Sequence, residues 1–351
     1  MKTLLRLLLK SQHQRNRSEP DQTDKGMTLV ELLVGAILAF LIITPMIGFV
    51  VEMLNSDRRE QVKSNTEQDV QAALDFIAQD LSQALYIYDN NPATANTTAT
   101  GIPALLADDF IPPSNQTQTP ILVFWKRELI KNSMPLAPPT QPNDCTKTST
   151  GANCNDTYVL ALVAYYEVRE ANPIWCQPAG IPCPTRIVRY QIKDGVKNPS
   201  SADPNNPYYS LTDPTQFPPD KAFDKDFDIS KPTENVTTGA QNFQPSEVLV
   251  NYIDHSQGPT PTGTECRTAL GHPTATTGVT PTPLPETTLK ITNPTTNSFY
   301  ACVDTSKNIA SVTIRGNSLR RIQTNADYDL KRVAYFPTAS VQVQGLGGRG
   351  K

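Results

Sequence analysis

A chain of 351 residues with 31 Lys and Arg against 34 Asp and Glu carries a formal charge of −3. No global basic field is present to attract a nucleic acid, which sets that class of partner aside. Charged residues make up only 19% of the chain and proline occurs 31 times. That balance fits an extracytoplasmic protein with long surface loops better than a cytosolic enzyme.

Residues 1–26 are polar and basic: Lys2, Arg6, Lys10, Arg15, Arg17 and Lys25 outnumber Glu19, Asp21 and Asp24. By the positive-inside rule this segment stays in the cytoplasm. From Leu32 to Val51 there are twenty residues without a charge. As a helix they cover roughly 30 Å, the thickness of a bilayer core. No small-residue cleavage site follows them, so the span does not read as a secretory signal. Pro45, with Gly48 nearby, removes a backbone donor inside it, and a kink or a locally melted turn is expected there.

The cytoplasmic edge of the span reads Gly26-Met27-Thr28-Leu29-Val30-Glu31-Leu32-Leu33. An acid deep in a span costs about 2.5–3.5 kcal/mol, less near the interface, so Glu31 at its mouth calls for a reason. A cut after Gly26 would place Glu31 about one helical turn from a new α-amine on Met27. The carboxylate of one subunit then has an amine to neutralise on its neighbour, in a medium of low dielectric.

Here the sequence resembles the type IV pilin and pseudopilin superfamily, whose signal is a Gly before the cut, a hydrophobic residue after it and a Glu four residues on. Gly26, Met27 and Glu31 match, although the family more often has Phe where this chain has Met27. The resemblance implies cleavage and N-methylation at Gly26 and Met27 by a prepilin peptidase, and assembly through Glu31. It implies other pilins or pseudopilins as partners, with an inner-membrane platform driven by a cytoplasmic ATPase. The expected location is the inner membrane, single-pass, with the N-terminus in the cytoplasm and the head in the periplasm. Assembly would then carry the chain into a filament.

Beyond Glu52 the helical pattern continues, with Val70, Leu74, Ile77, Leu81, Leu85 and Tyr88 at three- and four-residue steps. Acids such as Asp69, Asp75 and Asp80 fall between them. Asp89, Asn90, Asn91 and Pro92 should end the helix. The segment Asn55–Asp89 is similar to the cyanobacterial pseudopilins of hormogonium polysaccharide secretion. That likeness implies a role in polysaccharide release and gliding. A type II secretion or minor type IV pilus subunit is the alternative, and a permanently anchored envelope protein with a ligand-binding head is a third reading.

Strand-like runs follow at Ile121–Trp125, Tyr158–Val168, Ile187–Ile192, Val248–Ile253, Phe299–Val303, Ile309–Ile314 and Val333–Phe336. The expected fold is α+β, a long helix packed on an antiparallel sheet with Pro/Asn/Thr-rich loops between the strands. In segments, it reads as a leader at 1–26, a membrane or filament-core helix at 27–54 and an amphipathic continuation at 55–89. A β head covers 90–345, and a mobile tail 346–351.

All six cysteines, Cys145, Cys154, Cys176, Cys183, Cys266 and Cys302, lie after the span. An even set on the exported side reads as disulfides, and of the fifteen possible pairings the expected one joins neighbours in sequence, Cys145–Cys154, Cys176–Cys183 and Cys266–Cys302. Asp224, Asp226 and Asp228 alternate as at the start of a calcium loop. The Gly at the sixth position is missing and Asn235 stands at the twelfth, so a solvated acidic loop is preferred to calcium binding. His13, His255 and His272 lie in the leader and in loop-like sequence with no evident partner. No nucleophile elbow, P-loop or HExxH occurs, so the reading is not an enzyme and requires no cofactor.

Overall fold

The computed structural model describes residues 28–91, 101–107, 110–114, 117–136, 141–145, 154–203, 206–224, 247–259, 263–273 and 284–348. The fold is α+β, a long N-terminal helix and antiparallel sheets. The chain divides into two compact units, Met1–Asp57 and Arg58–Lys351. Helix α1, Leu29–Ser82, runs from the first unit into the second.

In the first unit α1 has the large apolar side chains from Leu29 to Leu54 exposed. It is long and apolar enough to cross a membrane. The helix persists through Pro45, so the expected melted turn is absent. The carbonyl that Pro45 leaves without its helical donor is that of Leu41; the Thr44 hydroxyl, one residue before the proline, donates to the Phe40 carbonyl at 2.8 Å. Prolines are tolerated inside membrane helices.

In the second unit α1 buries Val70, Ala73, Leu74, Ile77 and Leu81, the stripe that the periodicity predicts. Each of Val70, Leu74, Ile77 and Leu81 contributes about 1.5–3 kcal/mol by leaving water. The helix ends at Ser82, earlier than expected, and Ala84–Ile87 forms strand β1 instead. The run Leu85-Tyr86-Ile87-Tyr88 is aromatic and β-branched, and tertiary pairing decides its fate. Tyr86 faces Trp125 and Ile87 faces Phe124 across the ladder.

A short helix α2, Ile102–Ala107, precedes β2, Gln118–Pro135. Strands β3, Cys154–Val168, β4, Thr185–Lys193, and β5, Glu247–Ile253, complete a five-stranded antiparallel sheet in the order β1-β2-β3-β4-β5. Helices α3, Glu265–Ala269, and α4, Glu286–Leu289, lead to a second, four-stranded antiparallel sheet. It holds β6, Lys290–Thr292, β7, Phe299–Asp304, β8, Ile309–Arg315, and β9, Thr338–Gln344. Two sheets therefore stand where the sequence suggested one. They meet at a seam where Asp254 N donates to Arg315 O at 3.0 Å and Asn317 N donates to Tyr252 O at 2.8 Å. Gly316 lies at this seam against α1, and a Cβ there would come within 2.6 Å of the Thr66 side chain.

One expected strand is corrected. Val333–Phe336 lies largely in a 3-10 turn, Leu330–Tyr335, whose start the Asp329 side chain caps by accepting from Lys331 N at 2.9 Å. The strand comes later, where Ala339, Val341 and Val343 pack on the core and the residues between them face out. Strict alternation in Thr338–Gln344 is the strand signal. Part of the expected mobile tail is also ordered: Leu346–Gly348 forms a 3-10 turn, with Gly347 set close against the Leu85 backbone.

Truncating Ile77, fully buried on α1, to Ala is expected to lower the unfolding free energy of the full chain in detergent by roughly 2–5 kcal/mol. The exposed Gln79→Ala should stay within about 0.5 kcal/mol of the parent. Urea denaturation followed by circular dichroism checks both.

Candidate functional site

Glu31 sits in the first turn of α1. Its backbone N–H donates to the Thr28 hydroxyl at 3.3 Å. Thr28 thus caps the helix start through its hydroxyl, and the Thr-x-x-Glu order matches the sequence pattern of a capping box. A carboxylate there also complements the positive end of the helix dipole. The signal for this cap in the sequence is a Thr-x-x-Glu ahead of an apolar run. Gly26 and Met27 lie outside the described residues.

At the other end of α1 the structure gathers a group that periodicity alone does not reveal. Asp80, which falls between the apolar positions of the stripe, is 7% exposed. Its Oδ1 accepts from Lys126 Nζ at 2.8 Å. Its Oδ2 accepts from Arg189 Nε at 2.8 Å and from the Tyr165 hydroxyl at 2.7 Å. These three partners project from β2, β4 and β3, so a single carboxylate ties the helix to three neighbouring strands. Burial alone would raise its pKa, but the Arg189 and Lys126 charges beside it reverse that and hold it below the usual value. The Tyr165 hydroxyl is pushed well up by burial and by the Asp80 charge. With both oxygens saturated and two cations facing it, the cluster fixes position and has no group free to react.

A second buried acid behaves in the opposite sense. Glu167 on β3 is 1% exposed. Its Oε1 accepts from the Thr296 hydroxyl at 2.7 Å and the Asn293 amide at 3.0 Å. Oε2 has no partner among the described residues. Burial, only partly offset by those hydrogen bonds, raises its pKa to about 7.

The cysteines form three disulfides, Cys145–Cys154, Cys176–Cys183 and Cys266–Cys302. The first joins the segment after β2 to the start of β3, the second closes the loop between β3 and β4, and the third ties α3 to β7. The Arg320 side chain is fully buried. Its guanidinium donates to the Pro182, Pro178 and Gly180 carbonyls at 3.1, 3.0 and 3.0 Å, all within the loop that Cys176 and Cys183 close. Nothing in the local sequence announces that clasp.

Asp224 ends a described stretch, whereas Asp226 and Asp228 lie outside the described residues, as does His13. Among the described residues no group of three or more His, Cys, Asp or Glu side chains could hold a metal. His255 Nε2 lies 3.2 Å from Asp327 and His272 Nε2 lies 3.1 Å from Asp304, so each has an acidic partner that the sequence did not reveal. Trp125 is a core residue whose indole donates to the Tyr88 hydroxyl at 2.9 Å. Comparison with protein-family models, with curated proteins and with solved structures finds no match for this chain.

Asp80→Asn leaves Lys126 and Arg189 buried without their counter-charge and is expected to cost about 3–5 kcal/mol. Because the Asp80 pKa is lowered, its contribution is fully present above the ordinary carboxylate range and is lost as pH falls through the lowered value. The Asn variant should therefore show less acid dependence than the parent in urea titrations. For Glu167 the sign reverses: the contribution is lost as pH rises from 4.5 through about 7. Glu167→Gln should match the parent near pH 5 and exceed it above the raised pKa by about 3 kcal/mol, read by the same titration.

Proposed function

We propose that the chain is a minor pilin-like subunit of a type IV pilus-like or secretion machine, processed after Gly26 and assembled through Glu31. The observation that carries the reading is the run Gly26-Met27-Thr28-Leu29-Val30-Glu31, set at the start of a helix that is apolar over its first half. The second half of that helix is bound into an α+β head by its apolar stripe and by Asp80, an anchorage suited to transmitting force between a membrane segment and a head.

In this reading the work is mechanical, not catalytic. A platform in the membrane adds the subunit to a growing filament, and the Glu31 carboxylate neutralises the α-amine of a neighbour in the apolar core. The head would face the periplasm, and the three disulfides fit an oxidising compartment. The likeness of Asn55–Asp89 to polysaccharide-secretion pseudopilins supports assigning the machine to polysaccharide release and gliding.

The capping geometry at Thr28 supplies a test that separates helix initiation from assembly. Glu31→Gln keeps a side chain suited to the third helical position but removes its charge. Expected outcomes are that Gly26→Leu blocks processing, and that Glu31→Gln and Glu31→Val are both processed but fail to enter filaments. Immunoblots of sheared filaments and membranes read this directly. If Glu31→Gln assembles like the parent while Glu31→Val does not, the role of Glu31 is capping and the assembly mechanism is wrong.

A further inference from the structure

A polar turn of the second sheet reaches across to the first. Asn293-Pro294-Thr295-Thr296-Asn297 connects β6 to β7. Asn293 Oδ1 accepts from Thr295 N at 3.0 Å and from the Thr295 hydroxyl at 2.7 Å, and Asn297 takes a positive φ of 50°. These short polar residues shape the turn locally. The Asn293 amide and the Thr296 hydroxyl are left to cross between the sheets, where both donate to Oε1 of Glu167 on β3. From its own sheet the turn is held by Arg315, whose Nη2 donates to the Thr296 carbonyl at 3.0 Å.

Glu167 differs from the other buried acids among the described residues, each of which faces a cation: Asp80 with Lys126 and Arg189, Asp194 with Lys197, Asp254 with Arg315 and Asp304 with Lys307. Its Oε1 is held by two neutral groups, and its Oε2 has no partner among the described residues. Ionised, it places a charge where neither water nor a counter-ion meets it; neutral, it leaves at most one hydroxyl unpaired, which costs far less. Stronger bonds from Thr296 and Asn293 to the charged form recover only part of that difference.

The charged groups around it are engaged elsewhere. Arg169 acts on Glu167 at longer range, with its guanidinium donating to the His255 carbonyl at 3.4 Å. Arg186 on β4 pairs in register with Val168, so it stands on the opposite face of the sheet, and it binds Glu170 at 2.6 Å. Arg315 on β8 is taken by Asp254, and Lys290 on β6 by Glu265. Burial lowers the pKa of His255 despite the nearby Asp254 and Asp327, so that ring is neutral near pH 7. Thr119 on β2 and Ile187 on β4 are the residues opposite Glu167 in the ladder, and neither is charged. Burial, only partly offset by Thr296, Asn293 and Arg169, raises the Glu167 pKa from 4.5 to about 7.

We propose that Glu167 is a pH-sensitive latch between the two sheets: the neutral acid keeps the Asn293–Asn297 turn closed on β3, and loss of its proton opens the turn so that water reaches the carboxylate. The closed form holds a proton that the open form gives up. Opening therefore rises with pH from 4.5, by up to about tenfold per unit, and levels off above about 7. The latch does not rest on processing at Gly26 or on assembly through Glu31.

Hydrogen exchange of the full chain in detergent tests this, read by mass spectrometry on peptides covering Asn293–Phe299 and corrected for the pH dependence of free amides. The turn should exchange by local opening, with protection at least about tenfold below that of the α1 amides around Ile77. Its protection should fall by up to about tenfold per pH unit between 4.5 and about 7 and then level off. Glu167→Gln keeps the shape without the titrating proton and should hold the turn closed across the range. Infrared spectroscopy of the parent gives a second reading that needs no variant: a carboxylic acid band should persist near pH 6 and be lost as pH rises through about 7. The latch is overturned if turn protection does not change with pH, if Glu167→Gln keeps the parent's pH dependence, or if no carboxylic acid band persists near pH 6. It is also overturned if the turn and the α1 amides share one protection factor, since Glu167 would then act only through global unfolding.

Discussion

One buried carboxylate organises the head. Asp80 sits two residues before the end of a helix of 54 residues and meets partners on three different strands. Hydrophobic burial along Val70, Leu74, Ile77 and Leu81 presses α1 onto the sheet, but apolar contact is non-directional and tolerates sliding or rotation. A carboxylate with two cations and a tyrosine aimed at it has one satisfactory position, since any displacement leaves buried charge uncompensated. The register of the helix on the strands therefore rests on this cluster. So does the direct turn from Ser82 into β1, which has only Gln83 to complete it.

The remainder of the head is tied together in a similar way, by polar groups at places where apolar packing alone leaves choices open. The seam between the two sheets is held by backbone hydrogen bonds around Gly316 and by the Arg315–Asp254 pair, 8% and 0% exposed. Gly316 is required there because α1 approaches too closely for a side chain. Arg320 organises the loop between β3 and β4 through three carbonyls, and the Cys176–Cys183 bond closes the same loop covalently. Each disulfide limits the freedom of the unfolded chain, a contribution of about 2–4 kcal/mol.

Much of this architecture was legible in the sequence, and the misses have physical causes. The apolar stripe of α1 and six of the strands follow from short-range periodicity, which is local information. The role of Asp80 was not legible, because an acid beside an apolar stripe gives no local sign of being buried. Its partners lie 46 and 109 residues away, and no local pattern reports such a meeting. Leu85 and Tyr88 continue the helical spacing, yet they lie in a β-branched and aromatic run that β2 captures as a strand. Val333–Phe336 looked like a strand by composition alone, whereas Thr338–Gln344, with small and polar residues, has the better alternation. At the helix start the Thr28-x-x-Glu31 pattern is local and legible in the sequence.

The helix start and the buried lock are the two features on which the proposed function rests. Glu31 lies in the first unit and Asp80 in the second, and the continuous helix α1 carries both. The account is tested most directly by the mass of the N-terminal peptide of the protein purified from its host membranes. It predicts a chain that begins at N-methylated Met27; an intact leader ahead of Gly26 would contradict it and leave a permanently anchored envelope protein.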